Sequence, residues 1–185
     1  MKLEDIEILH ALHEWKVEAD YSSAIRLLEP FVRQLEQKED SLANRNKYYR
    51  PLSYLKEKLL LWEIKQQVDS VNVGDSVRPY LKKDMLEGVY CDDGRRTYYW
   101  EGNQMINTLI AYRIIKNDPS LCKLKENMQL YILRTKERGW NTYQASSAVA
   151  TVLTDLLAGS GGMSGTSVSV SGKDHELWNF LIMPG

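Results

Sequence analysis

Apolar residues along the first two thirds of the chain recur at helical spacing. Leu3, Ile6, Leu9 and Leu12, with Ile8 and Trp15 beside them, predict an amphipathic helix over 3–17. Asp20 is placed to cap a second helix carrying Ala24, Ile25, Leu27, Leu28, Phe31, Val32 and Leu35. Pro30 lies inside that run and predicts a kink or break, because proline removes a helix donor and crowds the preceding turn. The polar stretch Asp40 to Lys47 reads as a loop. A third helix is expected from Pro51 to about Val68 on Leu52, Leu55, Leu59 and Trp62. After a break at Asn72–Asp75, Pro79 should open a short helix that Gly88 closes.

The pattern then changes. Tyr90 to Trp100 combines an Asp93-Gly94 turn with three consecutive aromatics and predicts a hairpin or a tight aromatic loop. Asn103 is a natural cap for a buried helix with Met105, Ile106, Leu109, Ile110 and Ile114. Asp118-Pro119 begins another, running through Leu121, Leu124, Met128 and Ile132 to Arg138, with Gly139 ending it. Asn141 or Thr142 caps the last helix and Gly159 stops it. Gly159–Gly165 is a flexible linker. Thr166–Ser171 alternates at period two, Gly172-Lys173-Asp174 turns the chain, and His175–Met183 alternates again, which predicts a hairpin.

One repeat stands out. Trp100-Glu101-Gly102-Asn103-Gln104 and Trp140-Asn141-Thr142-Tyr143-Gln144 share Trp-x-x-x-Gln, and each leads into a helix of small and branched residues. A period of about forty residues in a helical chain points to stacked helix pairs. The expected fold is mainly α, antiparallel helix pairs of a partial α/α toroid with a short C-terminal β-hairpin. Residues 1–158 form the helical domain, 159–165 the linker, and 166–185 the start of a β-sandwich.

Composition narrows the function classes. Twenty-four basic residues against 25 acidic ones leave a formal charge of −1, so no global field draws in nucleic acid. No run reaches the length of a membrane-spanning helix. The opening Met1-Lys2-Leu3-Glu4-Asp5-Ile6 has no apolar signal core, so the protein is expected to be cytosolic or a piece of a longer chain. Leu181-Ile182-Met183-Pro184-Gly185, stopping just as an apolar strand ends, points to the second. Cys91 and Cys122 are outside any C-x-x-C motif. They are expected to be free buried thiols, with one bridge in an oxidising compartment as the alternative.

Candidate chemistry is thin. Glu7, His10, His13 and Glu14 share one helix, but the spacing supplies no third metal ligand and a solvated face is expected. Asp92-Asp93 precedes Gly94 and reads as a solvated turn rather than a diphosphate or proton site. Arg95-Arg96 beside Tyr98-Tyr99-Trp100 reads as a structural loop. His175 has no nucleophile in motif context, and the Ser160–Ser171 run contains neither a nucleophile elbow nor a phosphate loop. No catalytic, cofactor-binding or metal-ligating residue is assigned.

Arg138-Gly139-Trp140-Asn141-Thr142-Tyr143-Gln144-Ala145-Ser146-Ser147-Ala148-Val149, then a Gly/Ser linker and a strand, resembles the end of the helical toroid in bacterial α2-macroglobulin-like proteins. Leu86-Glu87-Gly88-Val89-Tyr90, Asp93-Gly94 and Tyr98-Tyr99-Trp100 fit the preceding unit of that family, so the resemblance covers about residues 80–172. It implies a non-catalytic scaffold domain of a periplasmic, cell-surface or secreted protease-trapping protein, an endopeptidase inhibitor. The implied partners are other domains of the same parent chain and a target protease. The family's Cys-x-Glu-Gln thioester is missing, since Cys91 is followed by Asp92-Asp93 and Cys122 by Lys123-Leu124. A partial toroid would expose an apolar helical edge, through which self-association is expected. The alternatives are a stand-alone helical-repeat interaction module and a toroid enzyme resembling terpenoid cyclases.

Overall fold

A computed structural model describes residues 1–96, 104–136, 142–159, 167–171 and 176–181. The chain is mainly helical with a small two-stranded antiparallel hairpin near its C-terminus, as the hydrophobic pattern predicts. Its contacts group into two units, Met1–Ala148 and Val149–Gly185. The Trp100 and Trp140 repeat heads, Asn103, the Glu137–Asn141 segment, most of the Gly/Ser linker and His175 lie outside the described residues.

The first unit begins with α1 (Glu4–Glu14), α2 (Tyr21–Arg45) and α3 (Leu55–Val68). Asp20 caps α2 as expected, its carboxylate accepting from the Ser23 N–H at 3.0 Å. Pro30 does not break α2. It lies on the exposed side, where water can satisfy the carbonyl that loses its partner. On the other side Ile25, Leu28 and Val32 are buried, and Glu29 and Glu36 flank the proline with ion pairs to Lys65 and Lys58 of α3.

Residues 40–45 are helical too, contrary to the expected loop. The reason is Glu39. Its buried carboxylate accepts from the Tyr49 hydroxyl and the Leu52 N–H, both at 2.8 Å, so the returning chain clamps the end of α2. Asp40 adds an ion pair with Arg95 at 2.9 Å. The third helix starts four residues later than Pro51. Pro51 to Ser53 instead pairs with Arg96, the Ser53 N–H donating to the Arg96 carbonyl at 2.7 Å and the Arg96 N–H to the Pro51 carbonyl at 3.1 Å.

The segment around Pro79 corrects another expectation. Gly74–Val77 (α4) and a 3₁₀ turn, Arg78–Tyr80, give way to strand β1 (Leu81–Lys83), which pairs antiparallel with β2 (Val89–Cys91). Asp84 makes the turn possible: one carboxylate oxygen accepts from the N–H groups of Leu86 at 2.9 Å and Gly88 at 2.7 Å. A Cβ on Gly88 would come within 2.8 Å of that carboxylate. Local hydrogen bonding of this kind offers the backbone an alternative to helix. The hairpin is then held by tertiary contact. Val89 and Cys91 are buried, the Cys91 N–H donates to Thr108 Oγ1 at 2.9 Å, and Tyr90 stacks on Tyr131 with ring centroids 5.1 Å apart.

Thr108 and Tyr131 belong to the next pair, α5 (Gln104–Ile115) and α6 (Cys122–Thr135). Asp118 caps the turn between them, accepting from the Ser120 N–H at 2.9 Å, as the Asp118-Pro119 signal predicts. α5 is buried nearly all round: Leu109, Ala111, Tyr112 and Ile115 are almost fully inaccessible. α7 (Thr142–Ala148) packs on α5.

Side-chain links fix the directions. Glu36–Lys58 and Glu29–Lys65 run α2 antiparallel to α3. Tyr112–Gln129 and Met105–Thr135 run α5 antiparallel to α6. Glu7–Lys56 and His10–Glu63 set α1 parallel to α3. At the start of α3, Ser53 reaches Asp93, whose neighbour Asp92 accepts from Gln104 at the start of α5; at the other end Glu63 meets Arg113 and Gln66 meets the Ile114 carbonyl. α3 and α5 are therefore parallel. α1, α3 and α5 form one row, and α2 and α6 run the other way.

The second unit, described by itself, has a π-helical turn at Val149–Leu153, helix α8 (Thr154–Gly159) and strands β3 (Ser167–Ser171) and β4 (Glu176–Leu181). The strands pair antiparallel from Ser167↔Leu181 to Val170↔Trp178, with an irregularity between Val170 and Ser171.

Candidate functional site

The most concentrated chemistry lies where the three parallel helices meet. Glu63 of α3 falls within the apolar run Leu59-Leu60-Leu61-Trp62-Glu63-Ile64, so helix formation carries its carboxylate into the interior. Arg113 of α5 reaches it with two hydrogen bonds, Nε at 2.6 Å and Nη2 at 2.8 Å, a fork-on-fork pair. His10 of α1 meets the same carboxylate through Nε2 at 2.9 Å. Burial alone would raise the Glu63 carboxyl. The hydrogen bonds from Arg113 and then His10, with their charges, overcome that and hold it at about 2.

A cleft of about 320 Å³ opens beside this cluster, lined by Glu14, Glu63, Gln66, Gln67, Arg113 and Lys116 among others. Its chemistry is that of a clamp. A carboxyl held at about 2 is ionised throughout the neutral range, so it is a poor proton donor there, and its oxygens are engaged by two basic side chains. Both cysteine thiols lie outside the cleft lining.

A second groove, about 350 Å³, runs between α2 and α3. Lys58 lies in it, bonded to Glu36 at 3.1 Å and to the Tyr80 hydroxyl at 2.8 Å, with its ammonium over the Trp62 and Tyr80 rings. Lys65 pairs with Glu29 at 2.9 Å. These charges join α2 to α3.

The structure separates the residues that the sequence put side by side. His10 turns inward to Glu63, whereas His13 packs edge-on against Tyr21 with centroids 5.0 Å apart. Among the described residues no group of three or more His, Cys, Asp or Glu is placed to hold a metal. Asp92 and Asp93 turn to different partners. Asp92 takes Lys82 at 3.1 Å and the Gly94 N–H, and Asp93 takes the Ser53 hydroxyl at 2.8 Å and the Arg95 N–H. They are half-buried ties between loop and helix, not a freely solvated turn. Arg95 is committed to Asp40.

Both cysteines are free, and one departs from expectation: Cys91 is buried but Cys122 is exposed. Burial first, then the negative charges of Asp92 and Asp93, push the Cys91 thiol up to about 12. The thiolate is the reactive form, so Cys91 should be inert in the folded chain. A thiol titration is expected to find one fast-reacting group per folded chain and two after unfolding. Rapid reaction of both in the folded chain would contradict the buried position of β2.

The Glu63–Arg113 pair had a signal in the sequence. Each is a single charge inside an otherwise apolar helical run, and the two charges are opposite.

No protein-family model, curated protein or solved structure matches the chain.

Proposed function

We propose that the chain is a non-catalytic helical scaffold within an α2-macroglobulin-like protease-trapping protein that acts in the periplasm, at the cell surface or in secreted form. The observation that carries the reading is the alternation of helix directions: α1, α3 and α5 parallel in one row, with α2 and α6 antiparallel to them. A unit made of inner helix, turn and outer helix, repeated side by side, generates that alternation. The packing of α7 on α5 supports the same reading, because these two helices begin within the two Trp-x-x-x-Gln segments. So does the C-terminal hairpin, which the resemblance expects after the last inner helix. The charged clusters favour a rigid body over a reaction site, since they tie helix to helix.

In this role the scaffold docks against other domains of its parent and moves as one piece when a protease cleaves a bait elsewhere. The test is to produce the protein encoded by the complete reading frame and expose it to a broad-specificity protease. The expected result is a frame of well over a thousand residues, a change in sedimentation after bait cleavage, and loss of the protease's activity on large protein substrates. A frame of about 185 residues, or a protease left fully active, would overturn the proposal.

A further inference from the structure

α1, α3 and α5 are parallel and end together, at Glu14, Val68 and Ile115, so the negative ends of three helix dipoles face the same way. The cleft beside Glu63 lies at this end. A second cleft, of about 430 Å³, meets it at Gln66 and Asn117, which line both. Gln66 is the informative residue. Its Nε2 donates to the Ile114 carbonyl at 3.0 Å, which fixes the orientation of the amide, while its Oε1 is buried with no hydrogen-bond partner. A buried acceptor without a donor costs free energy until a donor arrives. Each cleft also holds a carboxylate besides Glu63. In the first, Glu14 is exposed, with His10 Nδ1 3.9 Å away. In the second, hydrogen bonds from Ser120 and then Asn72 hold the Asp118 carboxyl below its ordinary range, so it stays ionised. Arg113 is neutralised by Glu63, which leaves Lys116 as the other cation of the two linings.

We propose that the joined clefts bind a primary alkylammonium group, the chemistry shared by aliphatic amines and lysine side chains. The charge of the ligand follows from the lining: carboxylates, an unpaired amide oxygen and helix C-termini repel an anion and attract a cation. Its shape follows from where the acceptors sit. Gln66 Oε1, the Asn117 side-chain oxygen and the Glu14 carboxylate come from three separate segments, as single points rather than a planar fork. A compact ammonium with three rotatable donors suits separate points, whereas a guanidinium suits a fork. The one buried fork, on Glu63, is already taken by Arg113. Val71 and Pro119 line the second cleft and give the methylene stem an apolar wall. Both volumes are in the range of small-molecule sites. The inference concerns the ends of α1, α3 and α5 and is independent of the protease-trap reading.

The test is a titration of the 185-residue chain with n-butylammonium chloride at neutral pH, followed by the side-chain amide signals of Gln66 and Asn117 in nuclear magnetic resonance spectra. Those signals should shift and saturate, with half-saturation at about 1–10 mM for so small a ligand. n-Butanol, which lacks the charge, and tetramethylammonium, which lacks the N–H donors, should leave them in place. N-acetyl-lysine methylamide separates the two sources: binding as tight as that of n-butylammonium supports a lysine side chain as the ligand, and exclusion supports a free amine. Gln66→Leu should weaken n-butylammonium binding about tenfold and Glu14→Gln about threefold. Glu4→Gln, at the opposite end of α1, should change nothing. Glu14 is exposed, so Glu14→Gln should fold and decides the matter if Gln66→Leu does not. The proposal is overturned if the signals do not saturate by about 100 mM n-butylammonium. It is equally overturned if n-butanol shifts them as much, or if a folded Glu14→Gln binds as the parent chain does.

Discussion

Glu63→Gln is expected to destabilise the first unit by about 3 kcal/mol, since it removes the charge that Arg113 and His10 both address while leaving a guanidinium half-desolvated. In a unit of this size that corresponds to a fall in Tm of about 6–12 °C. The pH dependence gives the substitution its own signature. In the folded chain the carboxyl is held at about 2 against an ordinary value of 4.5. A depressed carboxyl contributes stability that is complete above 4.5 and is lost as the pH falls toward 2, a contribution of about 3 kcal/mol. The gap between the parent chain and Glu63→Gln should therefore narrow steadily through that window. Urea titrations at several pH values read it directly. A gap that stays constant from pH 6 to pH 2.5 would show that Glu63 is not held as described.

The second large effect is a cavity. Leu59 is fully buried on α3, the helix that packs against α1, α2 and α5. Truncation to alanine removes its transfer energy and leaves a void that neighbours on three sides cannot all collapse into. Leu59→Ala is expected to cost about 3 kcal/mol, with the urea midpoint falling and the slope unchanged. Leu130→Ala, on the exposed side of α6, should stay within about 0.5 kcal/mol. A Leu59→Ala cost below about 1 kcal/mol would contradict the placement of α3 at the centre of the unit.

Both effects depend on α3, and the sequence marks α3 better than it marks its neighbours. Its apolar run, its end at Val68, the Asp20 cap and the Asp118-Pro119 start all follow from short-range chemistry, and the structure has them. The failures share a cause. Pro30 is tolerated because its face is solvated and the opposite face is pinned to α3. Residues 40–45 stay helical because Glu39 receives bonds from Tyr49 and Leu52, ten and thirteen positions away. Leu81–Cys91 pairs as strands because α5 and α6 supply Thr108 and Tyr131 to hold it. In each case a tertiary partner decided between local alternatives of similar energy. The clamp was legible in part. Lone opposite charges in two apolar runs signal a buried pair, but nothing in the spacing says that His10, fifty-three residues before Glu63, completes it.

The parallel row is the claim on which the scaffold reading rests, and it is measurable as two distances. Gln67 and Lys116 line the same cleft at the ends of α3 and α5, while Gln104 opens α5. A helix of twelve residues spans about 18 Å. Nitroxide labels at 67 and 116, in a chain with Cys122 replaced and Cys91 left buried, should give a short distance by pulsed electron resonance. Labels at 67 and 104 should give one longer by well over 10 Å. If the 67–104 pair is the closer of the two, α3 and α5 are antiparallel, and the parallel row does not exist.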